Sequence, residues 1–192
     1  MDARSPSASI SATDRVTVTT WYLESSDPAE LRPARAPQEP VTVVEVARPS
    51  PAFSRYLYTA VGGDWHWTDR LPWNEAQWRA YLDPARVRTW VLWQAGAPAG
   101  YIELQRQDRE IEIAYFGLMP DCLGRGWGGH LLSEGLRAAW AWGADRVWVH
   151  TCSLDGPAAL ANYEARGLRR YHQTVTEKRL APAIGPWPGA RP

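Results

Sequence analysis

Six residues, Gly124-Arg125-Gly126-Trp127-Gly128-Gly129, join an apolar stretch ending at Leu118 to an amphipathic one in which Leu132, Leu136 and Ala139 share a helical face. Glycines let a backbone approach a ligand and present successive N–H groups to an anion. The unpaired N–H groups and positive end of a following helix favour phosphate at the same spot. A diphosphate is the guest this chemistry suits. A dinucleotide fingerprint would want a different glycine register, a purely parallel sheet and an acidic residue about twenty positions on. A P-loop needs Gly-Lys-Ser/Thr, which is absent here. The bland alternative is a tight strand-to-helix turn that binds nothing.

Ionisable groups cluster around that turn in the sequence. Strand alternation puts Glu112 on one face with Ala114 and Phe116, opposite Ile111 and Ile113. A carboxylate among apolar neighbours has a raised pKa and accepts protons readily. An exposed carboxylate or a structural ion pair is the competing reading, and Glu110 replaces Glu112 if a bulge shifts the facing. His150 shares a face with Trp148 and Cys152, as a second base or as a hydrogen-bonded structural residue. Tyr163 lies three residues from Leu160 on a helix, so a core tyrosine competes with a phenol that donates a proton. Cys152 is a weak candidate nucleophile. Cys122 reads as packing.

The elements that must position these groups alternate along the chain. Residues 1–15, rich in Ser and Pro, read as a floppy start. Val16 to Leu23 is a strand, followed by a run containing Pro28, Pro33, Pro37 and Pro40 that no regular element crosses. Residues 16–40 thus read as a tethered strand and linker, 41–182 as the main domain and 183–192 as a flexible tail. Within the domain the order is strand (Val41–Val46), helix (Phe53–Val61), helix capped by Asn74, strands at Thr89–Gln94, Ala99–Gln105 and Glu110–Leu118, helix (Gly128–Trp142), strand (Arg146–Cys152), helix (Pro157–Arg166) and strand (Leu168–Leu180). Hairpin-linked strands are antiparallel, whereas strand-helix-strand units are parallel and right-handed. The fold class is mixed α/β, a mostly antiparallel sheet with helices on both faces. Trp21 and Tyr22 mark a strand able to pair with a sheet edge, in the same chain or across a homodimer.

Bulk properties narrow the partners. Lys plus Arg equals Asp plus Glu at 21 each, so neither nucleic acid nor an acidic membrane is favoured. No apolar run approaches the ~18 residues of a membrane span. Two cysteines and four histidines show no metal-ligand spacing. No metal is expected, and with no signal-peptide core the expected location is the cytoplasm.

The segment Glu112 to Pro120, then Leu123-Gly-Arg-Gly-Trp-Gly128 and the helix, resembles the acetyl-CoA motif of the GNAT acetyltransferase superfamily. Gly126 and Gly128 match its glycine positions. The second motif of that superfamily appears as Ala159, Tyr163 and Gly167-Leu168. Leu123, Gly156 and Leu168 depart from the usual Gln or Arg, Asn and Phe. The resemblance implies an N-acetyltransferase that moves an acetyl group from acetyl-CoA, a co-substrate, directly to an amine of a small molecule or protein in a ternary complex. A non-catalytic acyl-CoA-binding or sensing domain on the same fold, and a nucleotide-dependent oxidoreductase, are the alternatives. It implies coenzyme contacts from Phe116, Gly117, Leu118, Leu123, the turn Gly124 to Gly129, Gly156 and Ala159. It implies Glu112 as base, Tyr163 as acid, and a splay of neighbouring strands that exposes a backbone N–H near Leu118. The connection between the first two helices borders the acceptor site in this superfamily. That makes Trp65, His66, Trp67 and Asp69, with His150, the expected acceptor contacts.

Overall fold

The computed structural model describes residues 15–180 and Gly185. Most of the floppy start and of the tail expected from the sequence therefore lies outside the described residues. Seven strands form one sheet: β1 (Arg15–Ser25), β2 (Thr42–Glu45), β3 (Val87–Gln94), β4 (Ala97–Gln107), β5 (Glu110–Leu118), β6 (Arg146–Cys152) and β7 (Arg169–Arg179), in the order β2-β3-β4-β5-β6-β1-β7. All neighbouring pairs are antiparallel except β5 and β6. The four helices are α1 (Pro51–Gly62), α2 (Glu75–Tyr81), α3 (Trp127–Ala141) and α4 (Ala159–Ala165).

Burial explains the layers. In β4 the residues from Ala99 to Leu104 are all buried, as a central strand covered on both faces requires. Ile102 and Leu104 pack with Leu131, Leu132, Leu136 and Ala139 of α3. Tyr101, on the other face, packs with Leu57, Ala60 and Val61 of α1. Asn74 caps α2 in a reciprocal box with Gln77, the arrangement that satisfies two orphan N–H groups at once.

The boundary expected near Val41 does not divide two bodies. β1 sits inside the sheet, antiparallel to β6 on one side and β7 on the other, with Val18 and Leu23 wholly buried. β6 and β7 therefore run in the same direction without touching as a ladder. Local composition marks a strand, but its neighbours are chosen by distant hydrogen-bonding edges that no window of sequence contains.

The proline run after β1 is also more ordered than its composition suggests. Pro28–Glu30 forms a short 3-10 turn capped by Asp27. The chain then lies along α3 and α4: Arg32 N–H donates to Arg166 C=O at 3.1 Å, and Ala34 N–H to Ser133 Oγ at 2.9 Å. Gly167 permits this approach. Its φ is +105°, and a Cβ there would collide with the Glu30 carbonyl oxygen. Gly167→Ala is expected to cost about 1–3 kcal/mol from the backbone conformation alone, before the clash is counted. Thermal unfolding of the variant, with its midpoint clearly below that of the parent, checks this; an unchanged midpoint contradicts it.

Candidate active site

β5 and β6 pair only at Glu110 with Arg146, Ile111 with Val147 and Glu112 with Trp148. β5 nevertheless runs on to Leu118, and β6 to Cys152. The strands part. Met119 N–H donates to Ala99 C=O at 2.9 Å, so antiparallel alternation turns the N–H groups of Leu118 and Phe116 away from β4 and into the wedge. These are donors without a ladder partner beside an open space. The wedge belongs to a cleft of about 1600 Å³ that also takes in the glycine turn, the start of α4 and the connection between α1 and α2.

A bulge reshapes β5 within the wedge. Glu103 pairs with Tyr115 and Leu104 with Ile113, which leaves Ala114 as the extra residue. Simple alternation groups Glu112 with Phe116. Beyond the bulge the facing reverses, so Phe116 and Leu118 join Ile111 and Ile113 on the α3 side, while Tyr115 packs with the α1 cluster. Glu110 and Glu112 lie before the bulge and keep their facing. Glu110 is engaged with Arg146 at 2.7 Å, a surface ion pair.

Glu112 is 12% exposed and stands behind His150, its Oε1 lying 3.3 Å from His150 Nδ1. His150, half-exposed, is the residue that forms the cleft wall. The hydrogen bond that His150 donates to Glu112 raises the His150 pKa above the ordinary histidine value against the opposing effect of burial, with Asp155 adding to the rise and Lys178 subtracting. Sequence alternation puts His150 on the correct face but cannot bring it against a residue 38 positions earlier on another strand.

Tyr163 is buried at the far side of the wedge, its ring edge-on to Phe116 at 5.8 Å. Burial, then the Asp155 carboxylate, pushes its phenol well above the usual range. It remains a protonated donor at any working pH. Burial likewise raises both the Cys152 and Cys122 thiols, which removes the thiolate a nucleophile needs.

The glycine turn is open towards the cleft. Gly124 has φ +78° and Gly126 φ +76°, with no atom within 4 Å of the place a Cβ would occupy at either. Gly126 caps the 15-residue α3 without a side-chain hydrogen bond. The first N–H groups of that helix thus keep their donor capacity. Leu123, half-exposed, precedes the turn, and Arg125 within it stacks over Trp127 at 5.0 Å and pairs with Glu39 at 3.3 Å. An uncapped helix start, facing a wedge with two free strand amides, fits a coenzyme with a diphosphate and a thioester arm.

Trp65, His66, Trp67 and Asp69 all border the cleft. Trp65 lies 3.5 Å from where a Cβ on Gly156 would stand, so it reaches across to the turn before α4 and Ala159. Asp69 accepts from Tyr58 and Tyr115, each at 2.6 Å. Trp73 and Trp78 instead pack with Tyr58 and Arg70 away from the cleft, so the tryptophan-rich stretch splits between mouth and core. Sequence reasoning missed the wall made by residues 34–39, and with it Asn162, Arg166, Asp155 and Lys178. The prolines at 33, 37 and 40 are the signal that was available for that wall, because they fix an extended path.

Residues 51–168 match the Acetyltransferase (GNAT) family. The chain belongs to the GNAT acetyltransferase family. Among solved structures it is similar to a GCN5-related N-acetyltransferase from Kribbella flavida, with 20% identity, TM-score 0.63, and coverage of 85% of this chain and 59% of that one. A GCN5-related N-acetyltransferase from Sphaerobacter thermophilus has 19% identity and TM-score 0.62, covering 88% and 54%. The ribosomal-protein-S18-alanine N-acetyltransferase of Escherichia coli has 19% identity and TM-score 0.54, covering 69% and 80%. At these identities the likeness is one of fold. The chain spans little more than half the length of the first two. No curated protein matches the chain.

Proposed function

We propose that this GNAT protein is an N-acetyltransferase that moves the acetyl group of acetyl-CoA directly to an amine, both substrates being bound together. One observation carries the reading: an uncapped glycine turn, a strand wedge and a His150–Glu112 pair share one cleft. The coenzyme supplies a thioester, which is activated towards attack by an amine. The chain holds its diphosphate with the backbone N–H groups of Gly124 to Gly129, and the wedge between β5 and β6 takes the arm.

Each remaining demand has a residue. An ammonium with a pKa of ~10 must lose a proton before it attacks. His150 takes that proton at Nε2, while Glu112 accepts from Nδ1–H and fixes the tautomer. Charge developing on the acyl oxygen is met by the Leu118 N–H in the wedge. The Tyr163 hydroxyl donates to the departing sulfur. Trp65, His66, Trp67 and Asp69 form the acceptor mouth.

Calorimetric titration with acetyl-CoA, followed by thiol release across a panel of amines, tests this. Saturable binding and amine-dependent release are expected. Tyr163→Phe should bind acetyl-CoA normally yet turn over about a hundredfold more slowly. Absence of acetyl-CoA binding at millimolar concentration sinks the proposal.

A further inference from the structure

The cleft is electrically lopsided. At the glycine-turn end Arg35, Arg125 and Arg166 border it against a single carboxylate, Glu39, and Glu39 is already paired with Arg125. Arg166 is held from two sides: its Nε donates to Arg32 C=O at 2.9 Å and its Nη1 to Asn162 Oδ1 at 3.3 Å. Among the described residues no carboxylate faces it within ion-pair distance. Its position is tight as well, since a Cβ on Gly129 would lie 2.5 Å from Nη1 and 3.0 Å from the Cβ of Ala34.

A cation beside the first turn of a helix is placed where the dipole repels it. Two neutral oxygens hold it there, and the residue at the point of contact is glycine. Its own helix, α4, ends at Arg166, and the C-terminal end of that dipole favours the cation; the guanidinium N–H groups that these oxygens do not take are available to an anion in the cleft. In the acetyl-CoA reading the backbone amides of the turn serve the diphosphate. Arg166 stands to one side of them, against the wall built by residues 34–39 and tied to Arg32 before it, and Arg35 borders the same end. Coenzyme A carries one more anionic group than its diphosphate, the 3′-phosphomonoester on the ribose.

Resting on the acetyl-CoA reading above, we infer that Arg166, positioned by Asn162 and the Arg32 carbonyl and made room for by Gly129, binds the 3′-phosphate of the coenzyme. The proline-rich segment 32–39 is then part of the coenzyme site. Its prolines hold the wall in place before the ligand arrives, which lowers the ordering cost of binding. Arg35 supplies a second cation at the same end.

The test compares acetyl-CoA with 3′-dephospho-acetyl-CoA, which differs by that one group, by calorimetry on the full chain. The parent protein should prefer acetyl-CoA about tenfold to a hundredfold, the worth of a charge-assisted contact. Arg166→Gln should weaken acetyl-CoA by that factor and leave the dephospho thioester nearly unchanged, so that the preference falls to about one. Arg166→Lys should keep an intermediate preference. Gly129→Ala, which displaces the guanidinium, should reduce the preference in the same direction. The ratio guards against general damage, because a loosened segment weakens both ligands alike. A parent protein with no preference, or an Arg166→Gln variant that retains it, overturns the inference and leaves the acyltransferase reading standing. Failure of both thioesters to bind the parent overturns the two together.

Discussion

Replacing His150 with Gln should lower kcat/KM about 10²- to 10⁴-fold while leaving the affinity for acetyl-CoA intact. Glutamine keeps a polar group in the wall but cannot take a proton from an ammonium. The pH profile carries the more telling signature. Proton transfer needs the neutral imidazole, so activity is lost as pH falls through the His150 pKa. Glu112 holds that pKa above the ordinary histidine value, and the other charges facing the ring, Asp155 and Lys178, pull in opposite directions. The acidic limb of kcat/KM should therefore have its midpoint above the usual histidine range. In Glu112→Gln the largest cause of the rise is removed, and the midpoint should move to lower pH. A profile whose acidic limb stays in place in both variants would show that His150 is not the base.

Arg70→Met should destabilise the fold by about 3–5 kcal/mol. The Arg70 guanidinium lies 2.8 Å from Glu103 Oε1, with both side chains almost wholly buried at 6% and 3% exposure. It is enclosed by rings: its Cζ is 3.8 Å from the centre of Tyr81 and 4.3 Å from that of Tyr115, with Trp73 and Trp78 at 4.9 and 5.7 Å. Tyr81 OH also donates to Glu103, at 2.7 Å. Without Arg70 the carboxylate is stranded in a low-dielectric pocket, and that desolvation penalty is the source of the loss. Urea unfolding of the single variant and of Arg70→Met combined with Glu103→Leu separates the causes. The double variant should recover a large part of the stability, because no unpaired charge remains. Equal destabilisation in both would mean that ring packing, not the stranded charge, dominates. The neighbouring Asp69 binds Tyr115 and Tyr58, so the same substitution should raise KM for the amine more than it weakens coenzyme binding.

Local rules located most elements within a residue or two. Glu110–Leu118 and Arg146–Cys152 have the bounds their β-branched and apolar pattern suggests. Asn74 caps α2, and the glycine turn opens α3. These features are legible because each depends on side chains and backbone within one turn or one strand. Three features have a different origin. Ala114 bulges because the partner strand β4 is one residue short there, and nothing within β5 announces it. α4 begins at Ala159 rather than Pro157, since Asp155 turns its carboxylate to Thr151 and to Cys152 N–H instead of capping a helix. β1 lies one strand in from the edge, between β6 and β7, a choice between sheet edges of the same chain or of a partner that its own residues left open.

By itself the sequence determined which segments become helix or strand, the bare backbone of the turn at Gly124 to Gly129, and the presence of a carboxylate, an imidazole and a phenol among the candidates. Only the tertiary structure decided that β5 and β6 separate after Glu112, that His150 rather than Glu112 meets the cleft, and that residues 34–39 wall the glycine-turn end of the cleft with Arg166. The division has a physical basis. Periodicity and capping are interactions over three or four residues, whereas a wedge, a hydrogen-bonded pair 38 residues apart and a wall 134 residues from its arginine anchor exist only once distant strands have chosen their edges.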